Sequence, residues 1–218
     1  MSSTATPNGL TPAYHSSGEV AAIAHPGVLL AGTNVNILKN QAVFLGIGAG
    51  AAVNGVTVPA GQVYLAPVVS SSTPIWGVLA GVEYLDSTGA PVESNCWVAS
   101  TGVFTGSVIT AWIWEDPEII YTIQSDGALP VISAAGTPYA QFDGREANLS
   151  NFTSGSTTTG LSQETLAAAL VASAAQGQLR VMKLDPTLAN QSSTSDAYVQ
   201  LQVQIARSQV VAPAVSIT

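Results

Sequence analysis

The sequence predicts a mainly β protein: a β-barrel or β-sandwich body, an extended N-terminal arm and one short α-helix. Three observations carry this. Short apolar runs rich in β-branched and aromatic residues recur along the chain, separated by Gly, Pro, Asn or Ser clusters. Residues 1–40 show no periodicity and are broken by Pro7, Pro12 and Pro26, with Gly9, Gly18, Gly27 and Gly32 between them. Only 8% of the residues are charged, against about a quarter in an ordinary soluble domain.

Residues 1–40 read as the arm. A segment of this composition buries too little within itself to hold a fixed shape. It is richer in apolar residues than a disordered tail, with Leu10, Tyr14, Ile23 and Leu30 among them. It is therefore expected to order on a partner.

Residues 41–218 read as the β body. Candidate strands cover 42–45, 62–69, 76–84, 96–100, 107–114, 119–124, 178–183 and 197–207. The last is the clearest, because Val199, Leu201, Val203 and Ile205 alternate with Tyr198, Gln200, Gln202 and Gln204. One apolar and one uncharged polar face suit a sheet that is wet or subunit-facing on its second side. The run "GIGAGAAVNG" has glycine spacings like those of phosphate loops, but the Lys that follows in such a loop is missing. It reads as a hairpin-type loop. The Gly/Ser/Thr stretch 150–160 reads as a flexible loop. The helix is expected over about 162–176, with Ser162 as N-cap, Glu164 in the first turn, an alanine-rich run and Gly177 at the end.

Charge and composition exclude several functions. The net charge is -8, and the five cations Lys39, Arg145, Arg180, Lys183 and Arg207 are scattered. Binding of nucleic acid or of an anionic membrane surface is therefore not expected. No apolar run reaches the roughly 20 residues that span a bilayer. The first residues show no basic and apolar pattern of a secretory signal. The sequons at Asn148, Asn151 and Asn190 then read as chance products of a Ser/Thr-rich chain. One cysteine, Cys96, excludes an intrachain disulfide and reads as a small buried residue.

No constellation points to an enzyme, a metal or a cofactor. Glu115, Asp116 and Glu118 flank Pro117 and read as a turn before a strand. His15 and His25 have no Cys or carboxylate pair near them in sequence. No G-x-S-x-G elbow is present. Trp112 and Trp114 would share one face of a strand and, with Tyr121, suit packing between subunits.

Several stretches carry a family likeness. "EDPEIIYTIQSDG" (115–127) resembles the acidic–Pro–acidic segment and following strand of tailed-bacteriophage head decoration, or cement, proteins. "NGLTPAYHSSG" resembles their opening, and residues 36–45 their first strand. "ANLSNFTSGSTTTGLS" resembles their Gly/Ser/Thr connection. "LRVMKLDPTLAN" resembles the strand and turn before their final strand, here "YVQLQVQI". The resemblance implies a mainly β homotrimer on the outer surface of an assembled capsid, made in the host cytoplasm. Its partner would be the major capsid protein, and it would bridge capsomers. No catalytic residues come with the family. In that setting Leu10, Tyr14, His15, Ile23 and Leu30 are the expected capsid contacts, and Trp112, Trp114 and Tyr121 the expected subunit contacts. The alternatives are another virion or extracellular structural subunit, such as a tail, fibre or pilin-like sandwich, and then a carbohydrate-binding or hydrolytic jelly roll.

Overall fold

The computed structural model describes residues 5–28, 35–50, 52–53, 56–129, 143–172, 175–185 and 198–211. Among these the chain is mainly β. Its strands are β1 (Thr11–Tyr14), β2 (Ile23–Pro26), β3 (Ala42–Ile47), β4 (Ala52–Val53), β5 (Val56–Thr57), β6 (Val63–Pro67), β7 (Gly77–Leu85) and β8 (Pro91–Ser94). They continue with β9 (Thr110–Trp114), β10 (Ile120–Gln124), β11 (Glu146–Ser150), β12 (Gly155–Ser156), β13 (Leu161–Ser162), β14 (Thr165–Leu170), β15 (Leu179–Leu184) and β16 (Gln200–Ile205).

Two six-stranded sheets dominate, and every strand pair in them is antiparallel. The first sheet, A, runs β1-β10-β16-β15-β11-β14. The second, B, runs β2-β9-β7-β3-β6, with β8 also paired to β7. The long strand β7 divides one edge between two partners. Gly77 and Val78 face β3, while Val82 through Leu85 face β8. Neither sheet closes into a barrel. Among the described residues one backbone hydrogen bond joins the ends of sheet B, Leu65 N–H to the Val28 carbonyl at 2.9 Å.

Period-two alternation explains the core. In β16, Leu201, Val203 and Ile205 are buried, and in β9, Ala111 and Ile113 are fully buried between exposed or half-buried neighbours. One apolar cluster is shared by the two sheets. It joins Tyr121, Leu149, Leu166, Val181 and Val203 of sheet A to Ala42 and Val78 of sheet B. A second cluster belongs to sheet B and its covering loops, and includes Ile37, Leu65, Leu79, Trp97 and Ile113.

The helix expected over about 162–176 is not formed. Residues 165–170 are strand β14, paired to β11 through Leu149↔Leu166 and Ser150↔Thr165. Ser162 does make the local bond of an N-cap, accepting from Glu164 N–H at 3.1 Å. Tertiary contacts then override alanine's intrinsic helix preference. Leu166 enters the shared core, and Asp126 accepts from Ala168 N–H at 2.8 Å. Gly177 is not a helix stop either. A Cβ there would lie 2.9 Å from the Ala147 carbonyl oxygen, so the position serves a close backbone approach.

The described part of the segment expected as an arm lies along the body's own sheets. β1 forms an edge of sheet A on β10, and β2 an edge of sheet B on β9. Leu10 is 0% exposed in the shared core, and its N–H donates to the Asn40 carbonyl at 2.8 Å. Gly9 has φ of 66° and sits so close to the Asn40 carbonyl that no side chain fits. The described residues of this segment thus lie on the edges of their own chain's sheets, where the sequence reading expected order on a partner.

Candidate interaction surface

The expected contact residues divide into surface and interior. Tyr14 is 42% exposed on β1, with Lys183 Nζ 5.7 Å from its ring centroid. Ile23 is 48% exposed on β2. Trp112 is 38% exposed on β9. Leu30 lies outside the described residues. Leu10 and Tyr121 are corrected to core positions, because both are 0% exposed. The Tyr121 hydroxyl donates to the Trp114 carbonyl at 3.1 Å. Burial, with the Asp116 charge as a lesser cause, pushes that phenol well above its ordinary range. Trp114 is half-buried against the shared core. Of the three aromatic residues expected at a subunit contact, Trp112 alone offers its ring to solvent.

The structure gathers groups that the sequence keeps far apart. Asp116 Oδ1 accepts from Glu118 N–H at 2.8 Å, which is the turn expected of Asp-Pro. That turn links β9 of sheet B to β10 of sheet A. Because β2 pairs with β9 and β1 with β10, both histidines arrive beside it. His25 Nε2 lies 3.0 Å from Glu115 Oε2, and its ring meets Trp76 edge-on at 4.6 Å. His15 Nε2 lies 3.4 Å from Asp116 Oδ2 and 3.6 Å from Glu118 Oε2. Neither Nε2 makes an aligned hydrogen bond, so these are close approaches of imidazole and carboxylate.

His15 Nδ1 accepts from Ser17 N–H at 3.1 Å and lies 2.6 Å from Ser17 Oγ. A serine, an imidazole and a carboxylate therefore meet. The carboxylates sit off the imidazole line, and the Ser17 contact closes the exposed turn at residues 15–18. Among the described residues no group of His, Cys, Asp and Glu is arranged to hold a metal.

Sequence reasoning missed one group altogether. Glu164 is 0% exposed. Its Oε2 accepts from Ala42 N–H of β3 at 2.8 Å, and its Oε1 has no partner. Burial pushes its carboxyl up to about 8, against a smaller opposing effect of the Ala42 bond. Glu164 thus joins the lead-in of β14 to β3 of the other sheet as a neutral acid. Gln178 makes a second tie. It takes Leu149 N–H at 3.1 Å and gives Nε2 to the carbonyls of Ser70 at 3.0 Å and Thr73 at 2.8 Å.

The outer face of sheet B carries the concavity at Trp112. A cleft of about 520 Å³ is lined by Ala22, Gly81, Glu93, Asn95 and Trp112, among others. The indole stands in a row between Ala24 of β2 and Gly81 of β7, two of the smallest residues. Gly81 is enforced, since a Cβ there would lie 2.9 Å from the Ser94 carbonyl oxygen. The next row holds Thr110, Glu83 and Glu93, with Glu83 and Glu93 directly opposite each other on β7 and β8.

Set against known protein families, curated proteins and solved structures, the chain matches none.

Proposed function

We propose that this protein is a structural component of a virus particle, binding the outer surface of an assembled capsid as a homotrimer and bridging capsomers. The observation that carries the reading is the surface. The accessible surface is 10578 Å², the whole sequence holds only thirteen Asp and Glu and five Lys and Arg, Glu164 and Asp185 are buried, and apolar side chains stand out at several places among the described residues. Ile47 is 73% exposed, Val108 61% and Phe104 47%. Ile47 pairs with Val63, itself 40% exposed, at the tip of the β3–β6 ladder. A solitary molecule in water gains nothing from such a surface, whereas a subunit covered by neighbours does.

Scarce charge also keeps interface formation cheap in desolvation, because few ions leave water. A protein that binds the finished lattice and not the loose subunit stabilises the shell by mass action. Three tethered copies reinforce one another through effective concentration. No catalytic step is assigned to it. The contact candidates are Tyr14, His15 and Ile23 on the two edge strands, with Trp112 on sheet B.

The test is to mix the purified protein with empty, expanded phage heads lacking their outer decoration and pellet them. Light scattering on the free protein runs in parallel. Co-sedimentation at a fixed ratio per capsomer, with a trimer mass in solution, is the expected result. A monodisperse monomer that stays in the supernatant would overturn the proposal.

A further inference from the structure

Sheet B holds an arrangement that the folded chain does not satisfy by itself. Glu83 and Glu93 face each other across β7 and β8, and directly opposed like charges destabilise a sheet. Both side chains are exposed, and neither has a hydrogen bond or ion pair among the described residues. The strands of sheet B contain no Lys or Arg at all. Beside the pair stands the Trp112 indole, its flanks cleared by Ala24 and by a Gly81 that the Ser94 carbonyl keeps bare. Asn95, also exposed, completes the wall of the cleft.

We propose that the cleft lined by Trp112, Glu93 and Asn95, with Glu83 opposite Glu93 at its border, binds an arginine side chain presented by a partner protein. A planar guanidinium stacks on an indole face and at the same time donates in-plane hydrogen bonds to carboxylates. It cancels the repulsion between the two glutamates. A neutral saccharide could use the indole, but it would leave that repulsion standing. An anionic ligand would add to it. The net charge of -8 selects the same sign of partner at longer range. This site goes beyond the capsid reading and stands without it, because a peptide in solution tests the cleft alone.

The experiment follows indole N–H resonances of the full chain by NMR, with Trp112→Phe identifying the Trp112 signal. The probe is an acetylated, amidated Gly-Arg-Gly tripeptide, set against Gly-Gln-Gly and methyl glucoside. The expected result is a saturable shift of the Trp112 signal with the arginine peptide only, at millimolar affinity, weakening several-fold on adding salt. The double variant Glu83→Gln, Glu93→Gln should melt no lower than the native protein and lose the response. Three results would each overturn the proposal. They are equal shifts from the glutamine peptide, a response to methyl glucoside alone, and undiminished arginine binding by the folded double variant. Self-association that shifts Trp112 and vanishes in the double variant would assign the cleft to a second copy, against a foreign partner.

Discussion

Sheets A and B have the same strand number and opposite chemistry. Sheet A sends most of its buried side chains into the cluster shared by both sheets, and its β15 carries Arg180 and Lys183. Arg180 pairs with Glu146 of the neighbouring β11 at 3.1 Å, so its charge is answered within the sheet. Sheet B keeps a second cluster for itself, around Trp97. On its outer face it shows Trp112 and two opposed glutamates with no cation in any of its strands. Sheet A answers the Arg180 charge from within, while sheet B leaves two like charges opposed on its outer face. The difference teaches where to look for a partner: a fold can place its unsatisfied groups on one half while the other half supplies the packing.

Attempts to separate the two halves put this contrast to the test. The largest effect is expected from deleting residues 1–28. That removes Leu10 from the shared core and strips an edge strand from each sheet. Circular dichroism should show the cooperative melt lost. A truncated protein that melts within a few degrees of the full chain would restore the picture of a separable arm.

Next comes the tie between the sheets. The Glu164 carboxyl is raised from 4.5 to about 8, so the fold binds this proton more tightly than the unfolded chain does. The stability it contributes is fully present below pH 4.5 and is lost as pH rises through about 8. The loss is on the order of 4 kcal/mol across that window. Glu164→Gln keeps an acceptor for Ala42 N–H and cannot ionise. Its melting temperature should therefore change little between pH 5 and 9, while the native protein's falls on the order of ten degrees. Parallel curves for the two proteins would mean that the carboxyl is not the source of the slope.

Smaller again is Tyr121→Phe. It removes the hydroxyl bond from β10 to the Trp114 carbonyl in β9 and leaves the ring packing. Denaturant unfolding should show a loss of about 1 kcal/mol. No change at all would show that this link between the sheets is replaced by water. The smallest effect is expected at a turn beyond β7. Asp86 Oδ1 accepts from Thr88 Oγ1 and from the amides of Thr88 and Ala90. The Thr88 hydroxyl, then the amides, hold its carboxyl below the ordinary 3.8. Asp86→Ala should lower the melting temperature slightly at neutral pH. The gap should narrow as pH falls below 3.8, where the native bonds are lost too. An acid-insensitive gap would locate the loss in backbone freedom.

The strands were legible where alternation was strong. β16 lies inside the run of Val199, Leu201, Val203 and Ile205, and β9 and β10 fall inside the stretches expected for them. Residues 165–170 misled because alanine favours a helix intrinsically, and Leu166 and Leu170 satisfy a helical stripe as well as a strand. What decided between them, the pairing with β11 and the Asp126 bond, is invisible locally. The surface site was half legible. Trp112 stands out as an aromatic residue on a strand, but its neighbours Glu83 and Glu93 become a pair only once β7 and β8 are in register. For the same reason His15 and Asp116, 101 positions apart in the chain, gave no signal of meeting.

The first two strands have an effect on synthesis. Thr11 pairs with Thr122, and Ile23 with Ile113, so neither strand has a place to go until residues 110–124 have left the ribosome. Until then the growing polypeptide trails two short unpaired ribbons. When β9 and β10 emerge, the tether keeps the chain's own ribbon close to their open flanks, ahead of any ribbon from a neighbouring copy.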